Sequence, residues 1–189
     1  MKKIIDKHFE EHSLVIQSIS DTDKEKILNI ASIISDSLKS GGTVFWCGNG
    51  GSCSDSQHLA GELIGRFKKE RIPLRSIALS SDTAVLTCIA NDYGYDSVYS
   101  RQIEGLGKRN DVLIGITTSG KSMNIINALK QAARMEIKTI GFLGGNGGEA
   151  KDLCDKSILI PSYSTARIQE MHITVGHIIC ELVELQLNL

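Results

Sequence analysis

Residues 115–122 read GITTSGKS, which fits G-x-x-x-x-G-K-[ST], a pattern that normally marks a loop cradling nucleotide phosphates. A second glycine-rich stretch, CGNGGSCSD, fills 47–55 and places Gly48, Gly50 and Gly51 within four residues. Each stretch follows a short apolar run and leads into a helical one. Each therefore gathers hydroxyls, free backbone N–H groups and the positive end of a helix, which suits an anion. Ser and Asp also cap ordinary helices, and Gly serves ordinary turns. Two such junctions in one chain favour a ligand over two capped turns. Gly115 lies inside VLIGIT, among branched apolar residues, and reads as part of a strand. Only Thr117 to Lys121 remain for the loop, too few to encircle a nucleotide β-phosphate, and no later strand ends in an aspartate for magnesium. The loop suits a phosphate monoester better than a nucleotide.

The stretch DSQHLAGELIGR puts His58 and Glu62 four residues apart. On a helix that spacing points imidazole and carboxylate the same way, and together they form a nitrogen and oxygen ligand set for a divalent metal such as zinc. The alternative is a solvated ion pair. Arg66 continues the stripe one turn later. Near the C-terminus, Gln169, Glu170, His172, His177 and Glu181 interrupt an otherwise apolar helix. His177, with Ile173, Ile178 and Cys180 around it, is expected to face inward, as a ligand or as a buried histidine satisfied by one hydrogen bond. Gln169 and His177 stand about 12 Å apart along a straight helix and about 80° apart around it. They share one metal only if both side chains reach toward a point between them, or if neighbouring subunits contribute separately.

Bulk properties narrow the classes. The 189 residues suffice for one domain with a substantial core. A net charge of −1 offers no basic face to nucleic acid. No apolar run approaches the ~20 residues of a membrane span, and the acid-containing N-terminus does not read as a signal peptide. Five cysteines, odd in number and never spaced C-x-x-C, fit a reducing cytoplasm better than a disulfide framework.

The elements that must carry these residues follow from periodicity. Residues 4–39 lack Pro and Gly and show helical apolar spacing, with a break near Ser20–Asp23, where Ser, Asp and Thr can cap a new start. Such a segment packs on another subunit or covers its own sheet. Beyond residue 40, apolar runs at 43–48, 75–80, 111–117, 138–144 and 156–162 alternate with helical stretches at 53–67, 83–91, 122–135, 148–153 and 165–187. Continuous apolar strands alternating with helices predict a five-stranded parallel sheet covered on both faces, a three-layer α/β/α sandwich of flavodoxin-like type. One domain over 1–189 is expected, with 1–40 as a helical N-terminal extension and 41–189 as the α/β core.

With GNGGS, DSQHLAGELIGRF, ANDYGY, TTSGKS and RIQEMHITVGHIICELVE in place, nearly the whole chain resembles the sugar isomerase (SIS) domain family, specifically its members acting on seven-carbon sugar phosphates. The resemblance implies a zinc held by His58, Glu62, Gln169 and His177. It also implies a substrate pocket lined by Asn49, Gly50, Gly51, Ser52, Glu62, Asn91, Asp92, Thr117, Thr118, Ser119, Ser122 and Gln169. It further implies a homotetramer with sites near subunit interfaces, which gives the N-terminal helices a task. Two departures stand in the loop: Thr117 replaces a usual serine, and Lys121 stands where a small polar residue is usual and adds a charge near the phosphate. Gly61 costs its helix roughly 1 kcal/mol against alanine, a cost that close packing would offset.

The reaction so implied converts sedoheptulose 7-phosphate to D-glycero-D-manno-heptose 7-phosphate, the first step towards nucleotide-activated heptose for lipopolysaccharide or capsule. One proton moves from C1 to C2 while another moves between the oxygens. Glu62 is the expected base and His177 the expected acid, with zinc polarising the carbonyl. A zinc-bound carboxylate is a weaker base, so Glu62 serves as ligand, as base, or as each in turn. Asp92 orients a sugar hydroxyl or simply completes a turn in NDYG. The competing expectation is a non-enzymatic relative of the same domain that binds a replication initiator protein and needs no complete metal set.

Overall fold

A computed structural model describes residues 1–189. Two helices, α1 (Lys2–Gln17) and α2 (Asp21–Lys39), precede the first strand. The break between them is a capping box: Ser20 Oγ accepts from Asp23 N, and Asp23 Oδ2 accepts from Ser20 N, each at 3.2 Å. The strands are β1 (Val44–Gly48), β2 (Ser76–Ala78), β3 (Val112–Thr117), β4 (Lys138–Gly144) and β5 (Lys156–Ile160). All pair in parallel, in the order β2-β1-β3-β4-β5. Every residue of β1 and β3 is buried, which is why their sequences read as unbroken apolar runs.

The remaining helices are α3 (Gly51–Ile64), α4 (Thr83–Tyr93), α5 (Ser100–Leu106), α6 (Met123–Arg134) and α7 (Thr165–Gln186). Residues from α2, α3 and α7 form one core against the sheet, and residues from α5 and α6 form the other. The sheet is thus covered on both faces, as the alternating pattern predicts. Helix α5 lies in a stretch to which the sequence pattern assigns nothing. The expected helix at 148–153 is a short 3-10 segment over Glu149–Leu153. No helix is long and apolar enough to cross a membrane.

Helix α1 buries no residue, and of its apolar side chains Val15 packs against the core. Ile4, Ile5, Phe9, Leu14 and Ile16 stay exposed. A polar clasp holds it to α7: Arg167 Nη1 donates to the His8 carbonyl at 2.8 Å, Arg167 pairs with Glu11 at 3.6 Å, and His12 Nδ1 meets Glu170 Oε2 at 2.7 Å.

Candidate functional site

Chain order around the sheet reverses between β1 and β3, and at such a switch the loops at the carboxyl ends of the strands part to leave a crevice. Both candidate phosphate loops open there. At the end of β1 the turn is tight: a side chain at Gly48 would strike the Ser52 backbone at 2.4 Å, and Gly50 has φ 57°. Helix α3 starts at Gly51, earlier than expected, so Ser52 is a buried first-turn residue rather than a cap. Asn49 is fixed by an exchange of amide hydrogen bonds with Asn124, at 2.9 and 2.8 Å, and accepts a third from the Tyr95 hydroxyl at 3.0 Å.

Asn124 belongs to α6, so this exchange ties the glycine loop to the loop after β3. That second loop begins at Thr117, which is buried and whose Oγ1 accepts from Gly120 N at 3.2 Å and lies 3.4 Å from Ser122 Oγ. Ser119 Oγ accepts from Lys121 N at 3.2 Å. Ser122 is the N-cap of α6, yet its side chain makes no capping bond, leaving the hydroxyl available. Gly115 pairs with Cys47 and Gly141 inside the sheet, so the nucleotide-loop pattern fails for the expected reason: its first glycine is strand. A cavity of about 320 Å³ opens beside this loop, with Thr118, Ser119, Lys121, Asn146 and Tyr163 in its wall. A larger one, about 570 Å³, lies at the β2 edge against α4 and α5 and contains none of the expected site residues.

Asn91 and Asp92 sit near the end of α4, where Asn91 Nδ2 donates to Asp92 Oδ1 at 2.8 Å. No bond links them to either loop. From the same region it is Tyr95 that reaches the glycine loop.

Helices α3 and α7 lie side by side in the same direction. A side chain at Gly176 would strike Leu59 at 2.5 Å, so the two backbones approach closely just where they carry chemistry. His58 Nε2 lies 3.0 Å from Glu62 Oε1 and 3.2 Å from His177 Nε2, and one donor atom from each of the three residues fits within 4.8 Å of the others. His177 is half-buried at this seam, not inward-facing as its apolar neighbours suggest. The enclosed histidine of α7 is His172, beneath Phe142, with no well-formed hydrogen bond to either ring nitrogen. Burial pushes its pKa down to about 4, weakly opposed by the Leu143 backbone. Gln169 lies at the other end of the seam, its amide pressed against Gly51, where a Cβ would meet it at 2.5 Å. Seven residues of α3, roughly 10 Å of helix, separate Gly51 from His58. The seam therefore assembles three of the four expected ligands and sets Gln169 at the glycine loop.

Arg66 falls past the end of α3 and turns to Glu70 at 3.6 Å. A Cβ at Gly61 would meet nothing within 4 Å, so the close packing expected there does not exist within one chain.

The three-residue cluster suits a divalent cation. His58 Nε2 carries at most one hydrogen, which cannot point at both Glu62 Oε1 and His177 Nε2. A cation among the three would satisfy all of them. Two ligands about 2.05 Å from a tetrahedral zinc lie about 3.3 Å apart, close to the separations of 3.0 and 3.2 Å found here. Phe67, Tyr95 and Asn124 escape a reading of the sequence alone. Only Asn124 leaves a signal there, as a buried polar residue in the apolar opening of α6.

The SIS domain family model matches residues 7–144. A phosphoheptose isomerase of a Nitratiruptor species is 49% identical, over 97% of this chain and 98% of that one. Among solved structures, the phosphoheptose isomerase of Neisseria gonorrhoeae superposes with a TM-score of 0.92 at 36% identity, covering 97% and 98% of the two chains. That of Francisella tularensis gives 0.93 at 34% identity, covering 97% of each.

Proposed function

Because the chain belongs to the SIS domain family, and within it to the phosphoheptose isomerases, we propose that it converts sedoheptulose 7-phosphate to D-glycero-D-manno-heptose 7-phosphate. It is an aldose–ketose isomerase. The observation that carries the finer reading is the convergence of His58, Glu62 and His177 at the α3–α7 seam.

The loop after β3 grips the phosphate through the Thr118 and Ser119 region and the Ser122 hydroxyl, which makes no capping bond, with the start of α6 supplying N–H groups. Lys121 adds a positive charge at the cavity rim. This grip fixes the sugar chain so that C1 and C2 meet the seam. Glu62 takes the C1 proton and returns it to C2 through an enediol. His177 moves a proton between the two oxygens. Glu62 meets His58 through Oε1 alone, and Oε2 has no protein partner. One carboxylate can thus serve a cation with one oxygen and a proton with the other. His58, Glu62 and His177 would hold zinc, with Gln169 reaching in from the glycine loop or serving substrate contact. When bound, zinc would supply a Lewis acid that stabilises negative charge on the substrate oxygens.

The exposed apolar residues of α1 support assembly into a homotetramer, with the site completed near an interface. Five unpaired cysteines, two of them buried, support a reducing cytoplasm. The heptose product would serve lipopolysaccharide or capsule. An intact cluster is of no use to a replication-initiator-binding relative, and so weighs against that alternative.

Purified protein incubated with sedoheptulose 7-phosphate and followed by NMR tests the reading. Aldose formation that stops on chelation and returns with zinc is the expected result. No aldose with zinc present would refute it.

A further inference from the structure

Neither His58 nor His177 uses Nδ1 in a hydrogen bond to the protein; their only polar contacts are through Nε2. An imidazole that holds a metal or moves a proton usually has its ring fixed by a hydrogen bond at the other nitrogen. At this seam something else must fix it. Two aromatic contacts are available to His177: the edge of His58, with centroids 4.9 Å apart at 65°, and the face of Phe67, with centroids 5.4 Å apart and planes within 17°.

Phe67 stands in the irregular segment between α3 and β2, where surface loops are ordinarily mobile. This one is bolted down. Arg71 and Glu184 form an ion pair of 2.9 Å with both side chains 1% exposed. The Glu184 carboxylate also accepts the backbone N–H groups of Phe67 at 3.0 Å, Lys68 at 3.0 Å and Lys69 at 3.2 Å. Arg71 donates to the carbonyls of Glu62 and Leu63, both at 2.8 Å, and so closes the end of α3 as well. Lys68 adds an outer fastening to Glu181 at 2.8 Å. Burial alone would raise the Glu184 pKa, yet these donors together hold it below the usual carboxylate range.

A buried ion pair rarely stabilises a fold more than apolar residues of the same volume would. Here it does something apolar residues could not: it pins the main chain of Phe67 to α7 two turns beyond His177, and it pins α3 at the carbonyl of Glu62. We propose that Phe67, held by the Arg71–Glu184 lock, is the positioning residue that sets the His177 ring for metal binding and proton transfer. The inference rests on the proposed role of the cluster, but its first readout needs neither metal nor substrate.

The test compares Phe67→Leu, Phe67→Ala and Phe67→Tyr with the wild type. In the metal-free protein, the ring protons of His177 should carry an upfield shift from the stacked Phe67. That shift should vanish in Phe67→Leu and persist in Phe67→Tyr. Zinc titration of the same proteins should show affinity weakened about 10- to 100-fold in Phe67→Leu. It should be restored in Phe67→Tyr. In turnover, kcat should fall with the metal affinity while KM for the sugar phosphate stays within about twofold, because the phosphate grip lies elsewhere. Phe67→Leu keeps most of the buried volume and serves where Phe67→Ala unfolds. A Phe67→Leu protein with wild-type histidine shifts and zinc affinity would overturn the proposal. So would a loss of affinity that Phe67→Tyr fails to restore. A wild type that shows the ring shift but neither binds zinc nor isomerises would instead overturn the functional reading, and leave the stacking itself intact.

Discussion

At the β1–β3 end of the site, Asn49 and Asn124 exchange two hydrogen bonds, Thr117 accepts from Gly120, and the turn at Gly48 has no room for a side chain. Along the α3–α7 seam, His58 and Glu62 keep 48% and 24% of their side-chain surface, and the polar contacts among the three cluster residues run only between themselves. One half is built from main chain and its immediate supports. The other is built from side chains on two helices that meet only because Gly176 lets them approach at Leu59. A loop of the first kind is held in shape by its own hydrogen bonds and opens at a helix N-terminus, which favours an anion. A cluster of the second kind has ligand atoms that one cation would satisfy together. On the proposed reading, grip and chemistry would be supplied by different physics, and each should be open to damage alone.

The largest expected effect comes from breaking the seam. His177→Ala should lose zinc and at least about 10³-fold in kcat, a size typical of losing a proton-transfer group. Sugar-phosphate binding should stay within a few-fold. Calorimetry with the phosphorylated sugar beside a turnover assay checks both. Equal losses in binding and turnover would erase the distinction between the halves.

A second experiment separates the two histidines of α7. Burial pushes the His172 pKa down to about 4 in the folded chain, from the 6.5 of a free imidazole. Below pH 6.5 the unfolded chain therefore takes up a proton that the folded chain refuses. Stability from this group is complete above pH 6.5 and declines as pH falls toward 4, by up to about 3 kcal/mol. Urea unfolding at neutral pH and again close to the folded-state pKa measures the decline. His172→Leu should reduce it, while His177→Ala should leave it unchanged.

The smallest effect belongs to the loop. Thr117→Val keeps the shape but removes the acceptor for Gly120 N, which costs about 1 kcal/mol. KM should rise roughly fivefold, with zinc affinity and kcat near wild type. A fall in zinc affinity would mean that the halves are coupled after all.

Most of the loop half is legible in the sequence because its causes are local. Three glycines in four residues announce a tight turn, and Gly115 among Val, Leu and Ile announces a strand. The helix pair is legible in part. His58 and Glu62 share a face by spacing alone, but only the family resemblance singles out His177; spacing does not say that His177 rather than His172 meets them. That is decided by Gly176, which brings one face of α7 onto Leu59. The same limit hides Phe67, whose role comes from Glu184, 117 residues away. Helix α5 escapes notice because it is seven residues long and buries only Gln102 and Ile103, too few to show a period. Gln169 lies at the glycine loop because Gly51 leaves it space, a fit that neither residue displays alone.

The division between a phosphate grip and a proton-moving seam is tested most directly by Glu62→Gln, which keeps the side-chain shape and removes the proton acceptor. Calorimetry with sedoheptulose 7-phosphate and an NMR turnover assay should be run on the same preparation. A folded protein is expected, with binding within a few-fold of wild type and aldose formation reduced at least about 10³-fold. Turnover near the wild-type rate would contradict the assignment, and the base would have to be sought among other residues.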